Sequence, residues 1–198
     1  HKTKDEDFVE NIFTTSTHDD LMFFTNFGKV YVIKGYEIPE ASRNSRGRAV
    51  INILQLDPGE KVTTLLPVPE RGEGYLMLAT KQGLIKKTAL SEFDSIRKTG
   101  KKAIKLVEGD ELISAMITKG TEELIIASHE GKCIRFREED VRVMGRDCQG
   151  VRSMKLKPGD YAVDMAIVEE DKEVLTISEN GFGKRSSPED YRVQGRAG

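Results

Sequence analysis

Side chains able to do covalent or acid–base chemistry are few and scattered. The histidines are His1, His18 and His129, and only Thr17-His18-Asp19-Asp20 sets one beside carboxylates. Such a group could hold a metal or move a proton, yet the stretch reads as a hairpin turn and is assigned no catalytic role. Ser186-Ser187-Pro188 has no histidine and acid at a recognised motif spacing. Cys133 and Cys148 stand 15 residues apart, with neither a Cys-x-x-Cys pair nor a histidine cluster, and read as two reduced thiols. Gly181-Phe182-Gly183 lacks the third glycine and the following helix of a nucleotide-binding fingerprint. The expectation is a chain with no catalytic residues, no metal and no cofactor.

What the chain offers instead is charge, and its distribution matters more than its sum. Over 198 residues the formal net charge is −2, which by itself argues against a nucleic-acid partner. From Lys81 to Lys105, however, eight Lys or Arg face only Glu92 and Asp94, and from Lys132 to Lys157 eight face four acids. Asp164 to Glu173 holds five acids and one lysine, and Asp5 to Asp20 six acids with no Lys or Arg. Basic groups gathered in this way suit ionic contact with phosphates.

Positioning them falls to a repeat of about 50 residues, visible in three motifs. Leu56-Asp57-Pro58-Gly59-Glu60, Leu106-Val107-Glu108-Gly109-Asp110 and Leu156-Lys157-Pro158-Gly159-Asp160 place their glycines 50 residues apart. An apolar run ending in a Thr/Ser-x-x-Gly turn appears at Leu21–Gly28, Leu76–Gly83 and Leu124–Gly131, with a related copy at Val174–Gly181. An arginine then precedes a glycine at Arg43 to Gly47, Arg97 to Gly100 and Arg146 to Gly150, and Arg196 begins a fourth copy. The implied repeats are 6–55, 56–105, 106–155 and 156–198.

The apolar runs are short, rich in Val, Ile, Leu and Phe, and bounded by glycine turns, so they predict strands. Glycines 28, 83, 131 and 181 are expected to take positive φ in hairpin turns. Lys29–Lys34 and Lys132–Arg137 are read as alternating apolar and basic residues, which predicts one packed and one charged face. Four such strands with turns fill one propeller blade. The predicted fold is all-β: a propeller-like stack of about four four-stranded blades, incomplete as a ring. With 37% hydrophobic residues, a folded core is expected. No apolar run is long enough to span a bilayer, so no membrane association and a cytoplasmic location are expected.

Residues Phe8 to Val68 carry the most specific pattern: Thr17-His18-Asp19-Asp20, Gly28-Lys29-Val30-Tyr31, Ile38-Pro39-Glu40-Ala41-Ser42-Arg43, Arg46-Gly47-Arg48 and Leu65-Leu66-Pro67-Val68. On these the chain resembles the C-terminal domains of bacterial DNA gyrase A, a β-pinwheel family related to propellers, more than the topoisomerase IV paralogue. The resemblance covers nearly the whole chain. It implies a single β-pinwheel domain, part of a six-bladed ring, that wraps double-stranded DNA around a basic rim and presents it to the cleaving core. Strand cleavage and ATP use would belong to the rest of gyrase A and, through it, to gyrase B. The family's basic box, Q-R-R-G-G-K-G in the first blade, is expected to precede residue 1. Gln194-Gly195-Arg196-Ala197-Gly198 matches it only in part, so plain DNA binding is the firmer expectation for this segment.

The expected phosphate contacts are Arg43, Arg46 and Arg48 in the first repeat, Arg97, Lys98, Lys101 and Lys102 in the second, Arg142 and Arg146 in the third, and Arg192 and Arg196 in the fourth. Lys34, Lys86, Lys87, Arg135, Arg137, Lys184 and Arg185 form a second rank on strands. Basic residues on exposed strands also guard against edge-to-edge pairing. A protein-interaction propeller is therefore the rival reading. A carbohydrate-binding propeller is disfavoured by the absence of tryptophan.

Overall fold

The computed structural model describes residues 20–37, 53–68, 73–94, 96 and 100–169, together with the backbone of 174–177, 183–186 and 193–194. In the first repeat, β1 (Asp20–Thr25) and β2 (Lys29–Lys34) form a hairpin. β3 (Val62–Val68) pairs with the other side of β1, and β6 (Lys101–Lys102) crosses from the next repeat to pair with β2. The first sheet therefore has the order β3-β1-β2-β6. The second repeats this plan with β7 (Leu112–Thr118), β4 (Tyr75–Thr80), β5 (Leu84–Ala89) and β10 (Val151–Arg152). In the third, β11 (Ala162–Ile167), β8 (Glu123–Ser128) and β9 (Cys133–Arg137) are joined by β14 (Val193–Gln194). β12 (Val174–Ile177) and β13 (Gly183–Ser186) make a two-stranded sheet.

The all-β expectation holds, and the register shows how deeply the repeat is built in. Each of the three sheets has an irregularity at the same place, between Phe24 and Thr25, Ala79 and Thr80, and Ala162 and Asp164. β14 departs from the plan because it runs parallel to β9, pairing Val193 with Arg135. Its counterpart is the isolated parallel bridge between Val143 and Lys87, not the antiparallel strands β6 and β10.

Hairpin turns follow the predicted chemistry. The amides of Gly28, Gly83 and Gly131 donate to the carbonyls of Thr25, Thr80 and Ser128 at 2.9, 3.1 and 3.1 Å. Their φ angles are 76°, 90° and 91°, a region costly for residues with a Cβ; Gly181 lies outside the described residues. The acid ending each Gly59-type turn secures a hairpin. Asp110 accepts from the Gln82 amide at 2.9 Å, and Asp160 from that of Glu130 at 3.0 Å. Glu60 instead accepts the hydroxyls of Thr25 and Tyr31 at 2.6 and 2.8 Å. Burial and this bond to Glu60 push the Tyr31 hydroxyl's pKa well up.

Two expectations need correction. Lys29–Lys34 does not show one packed and one charged face: Val30, Tyr31, Val32 and Ile33 are all buried. The reason is that the sheets stack face to face. Met22, Phe24, Val30 and Val32 pack with Leu76 and Leu78 of the second sheet, whereas Leu21, Phe23, Tyr31 and Ile33 fill a separate core on the other face. In turn Met77, Ala79 and Ile85 of the second sheet meet Leu124, Ile126 and Phe136 of the third. Strand alternation thus sends successive side chains into different cores. Asp20, read as part of a turn with Thr17, His18 and Asp19, instead begins β1 and pairs with Lys34 at 2.8 Å; residues 17–19 lie outside the described residues.

Candidate nucleic-acid interface

The strands β3, β7 and β11 lie against one another at one end of the three sheets, which leaves β6 and β10 at the opposite, outer end of theirs. β6 is a two-residue strand of lysines held by its flanks. Lys101 pairs with Val30 and Lys102 with Lys29, while the Ala103 amide donates to the Gly28 carbonyl at 2.7 Å. Gly100, at φ 83°, lies flat on Tyr31, and a Cβ there would meet the ring at 2.5 Å. A residue type without a side chain is what lets the strand reach its seat. β10 is seated in the same way: Arg152 pairs with Leu84, and the Ser153 amide donates to the Gly83 carbonyl at 2.7 Å. A Cβ on Gly150 would come within 2.6 Å of the Ile85 carbonyl.

This shared seat presents basic groups at a fixed interval. Lys101 and Lys102 are exposed, as are Arg152 and the following Lys105 and Lys155. Lys102 and Arg152 are 50 residues apart, as are Lys105 and Lys155. Arg142 is exposed, and the half-buried Arg146 reaches across to the first sheet, its Nη1 donating to the Lys102 carbonyl at 3.4 Å. The Lys105 amide donates to the Cys148 carbonyl at 3.0 Å. Lys101, Lys102 and Arg146 therefore share one surface. Among the described residues, neither these three nor Arg142 pairs with a carboxylate, so their charge is available to an anion. Arg43, Arg46, Arg48, Arg97, Lys98, Arg192 and Arg196 lie outside the described residues.

Several second-rank strand residues turn out to be structural. Lys86 is fully buried, and Lys87 nearly so. Lys86 Nζ donates to the carbonyls of Ala103, Gly145 and Arg146, the last two at 3.0 and 2.8 Å. Burial lowers its pKa to about 8. Lys87 Nζ lies 3.4 Å from Glu138 and 4.5 Å from the centre of the Tyr75 ring. Glu138 is saturated by the Thr118 hydroxyl at 2.6 Å and the amides of Gly120 and Glu122 at 2.8 Å each. Arg135 is paired with Glu123 at 2.5 Å, and Lys34 with Asp20. Of this second rank Arg137 remains exposed; the side chains of Lys184 and Arg185 lie outside the described residues. Lys29 is paired with Asp57 at 2.7 Å, and that bond raises its pKa.

Arg152 is a further candidate cation that the sequence reading did not include: it stands two residues after Gly150, as Lys102 does after Gly100. Among the described residues no group of His, Cys, Asp or Glu could hold a metal ion, and no helix is long and apolar enough to cross a membrane.

The family model described as "DNA gyrase C-terminal domain, beta-propeller" matches residues 19–69, 74–119, 122–169 and 172–198. DNA gyrase A of Clostridium acetobutylicum is 50% identical over 151 residues, which is 76% of this chain and 18% of the relative. That of Escherichia coli strain K12 is 46% identical over 152 residues, 76% of this chain and 17% of the relative. The match thus spans under a fifth of these relatives' length. Among solved structures, the C-terminal domain of DNA topoisomerase IV aligns with a TM-score of 0.83 at 27% identity, covering 92% of this chain and 58% of that one. The DNA gyrase A C-terminal domain aligns at 0.75 and 33% identity, covering 92% and 59%. A family match over most of the chain, reached independently by sequence and by shape, shows that the chain belongs to the DNA gyrase C-terminal domain family of β-propeller folds.

Proposed function

We propose that this chain binds double-stranded DNA through the phosphate backbone, without sequence preference, as the C-terminal domain of a DNA gyrase A protein. The observation that carries this reading is the pair of outer strands β6 and β10, which expose Lys101, Lys102 and Arg152 on equivalent seats. A duplex following these two edges meets exposed cations on both of their blades. Neutralised phosphates release counterions, and contacts distributed along the path offset a bending cost of several kcal/mol.

Wrapping follows if the blades continue around a six-bladed ring, with Arg43, Arg46, Arg48, Arg97, Lys98, Arg192 and Arg196 adding to the rim. The wrapped segment would be handed to the rest of gyrase A and, with gyrase B, to ATP-dependent negative supercoiling, so that no catalysis resides in this chain. The topoisomerase IV counterpart is the second reading, favoured by the higher TM-score of 0.83; the greater identity to the gyrase domain, 33% against 27%, favours the first.

The test is affinity for a duplex of about 40 base pairs at several salt concentrations, since log affinity falls by about 0.9 per phosphate contact per decade of salt. A steep slope with no sequence preference supports the reading. Absence of binding at low salt overturns it and leaves a protein-interaction propeller.

A further inference from the structure

We propose that Lys86 is a positioning residue for DNA, whose buried ammonium ties β6 of the first sheet to the 145–148 loop of the second and so holds Lys101, Lys102 and Arg146 on one surface. The inference rests on the DNA-binding reading above. Lys86 sits on β5 of the second sheet, and its side chain leaves that sheet toward the first. Its acceptors belong to both sides of the junction: Ala103 directly follows β6, while Gly145 and Arg146 lie in the loop that precedes β10. An ammonium has three donors and here meets three carbonyls. Two further bonds close the same junction, from Arg146 to the Lys102 carbonyl and from the Lys105 amide to the Cys148 carbonyl.

Among the described residues no carboxylate touches the ammonium directly. Facing it are Glu92 of the 3-10 turn Leu90–Phe93, and Asp147, Cys148 and Arg146 of the loop. The first three favour the charged form and Arg146 opposes it; β6 adds the cations Lys101 and Lys102. Desolvation outweighs these and brings the group's titration to about 8.

The arrangement makes the basic surface responsive to its ligand. Phosphates bound at Lys101, Lys102 and Arg146 add negative charge beside a poorly solvated cation and favour its protonated form. By linkage, DNA then takes up a proton on binding where Lys86 is partly neutral, and affinity falls as pH rises through that range. The neutral amine has one donor fewer, which also loosens the junction.

The experiment is DNA affinity of the whole chain for a 40-base-pair duplex from pH 6.5 to 9 at constant ionic strength, for the native protein and for Lys86→Met. Native affinity is expected to be about five- to tenfold weaker at pH 9 than at pH 7 relative to the variant, since one unit of pKa shift corresponds to about tenfold. The variant is expected to bind more weakly at pH 7. Other titrating groups are common to both proteins, so the difference between the profiles is the readout. Calorimetry of the native protein at pH 8.5, in two buffers of different ionisation enthalpy, measures proton uptake and needs no variant to fold. Native binding with a parallel pH profile and no proton uptake overturns the positioning role of Lys86 and leaves DNA binding intact. Failure of the native protein to bind at every pH overturns both.

Discussion

The two junctions between four-stranded sheets are built on neighbouring lysines of one strand, and they bury a cation in different ways. Lys87 faces the third sheet and meets a carboxylate, Glu138, itself saturated by Thr118, Gly120 and Glu122. Lys86 faces the first sheet and is held by carbonyls. A buried ion pair offsets much of its desolvation, whereas a cation on dipoles stays close to losing its proton. The contrast separates a junction that serves stability from one that carries the basic surface.

The largest expected effect is on the Lys87 side. Glu138→Ala leaves a buried ammonium unpaired and two amides without an acceptor, and should destabilise by about 3–5 kcal/mol in urea denaturation. Replacing Lys87 and Glu138 together by methionines should recover most of that loss; if it does not, the pair is more than a mutual compensation.

Next is the seat of β6. Gly100→Ala forces a Cβ into Tyr31 at positive φ and should cost about 2–3 kcal/mol. Gly131→Ala, at a φ of 91° with nothing within 4 Å of the added carbon, should cost about 1 kcal/mol. Equal losses in thermal denaturation would mean that backbone strain alone decides, and that the contact with Tyr31 does not.

On the DNA side, neutralising Arg97, Lys98, Lys101 and Lys102 together should weaken binding at least about tenfold and flatten the salt dependence. The melting temperature should not change, because Lys101 and Lys102 support no packing. An unchanged affinity would remove this cluster from the interface. The smallest effect is expected at the exposed pair Lys29–Asp57, where Asp57→Asn should change stability by no more than about 0.5 kcal/mol.

Stability against pH checks the junctions from another side. The folded pKa of Lys86 lies near 8, below the ordinary value of 10.5. Between those values the unfolded chain binds the extra proton, so this group's contribution to stability rises with pH across that window. DNA affinity is expected to move the opposite way. The difference between native protein and Lys86→Met, followed by urea midpoints from pH 7 to 10, isolates the contribution.

Much of this architecture was legible in the amino-acid order. Glycines 50 residues apart, the Thr/Ser-x-x-Gly turns and the short apolar runs determined strands, hairpins and a repeated blade, because positive φ and strand alternation are local constraints. The acids closing the Gly59-type turns were visible as a motif, though their partners in the hairpins were not. Lys101 and Lys102 were legible as surface cations because they follow a motif glycine, and Arg152 could have been found from the same spacing.

Tertiary structure alone decided which of the strand lysines are buried. Lys86 and Lys87 read as exposed strand lysines because a half-covered sheet would leave one face wet. Stacking covers both faces, so each lysine had to find its partners in a neighbouring sheet. For Lys86 those partners, the carbonyls of Ala103, Gly145 and Arg146, lie from 17 to 60 residues away along the chain, and for Lys87 the carboxylate of Glu138 stands in the following repeat. Nothing local specifies a meeting at that distance. It arises when a strand of one repeat crosses to complete the sheet of another, and burial then decides whether a lysine stays at the surface or becomes a post between blades.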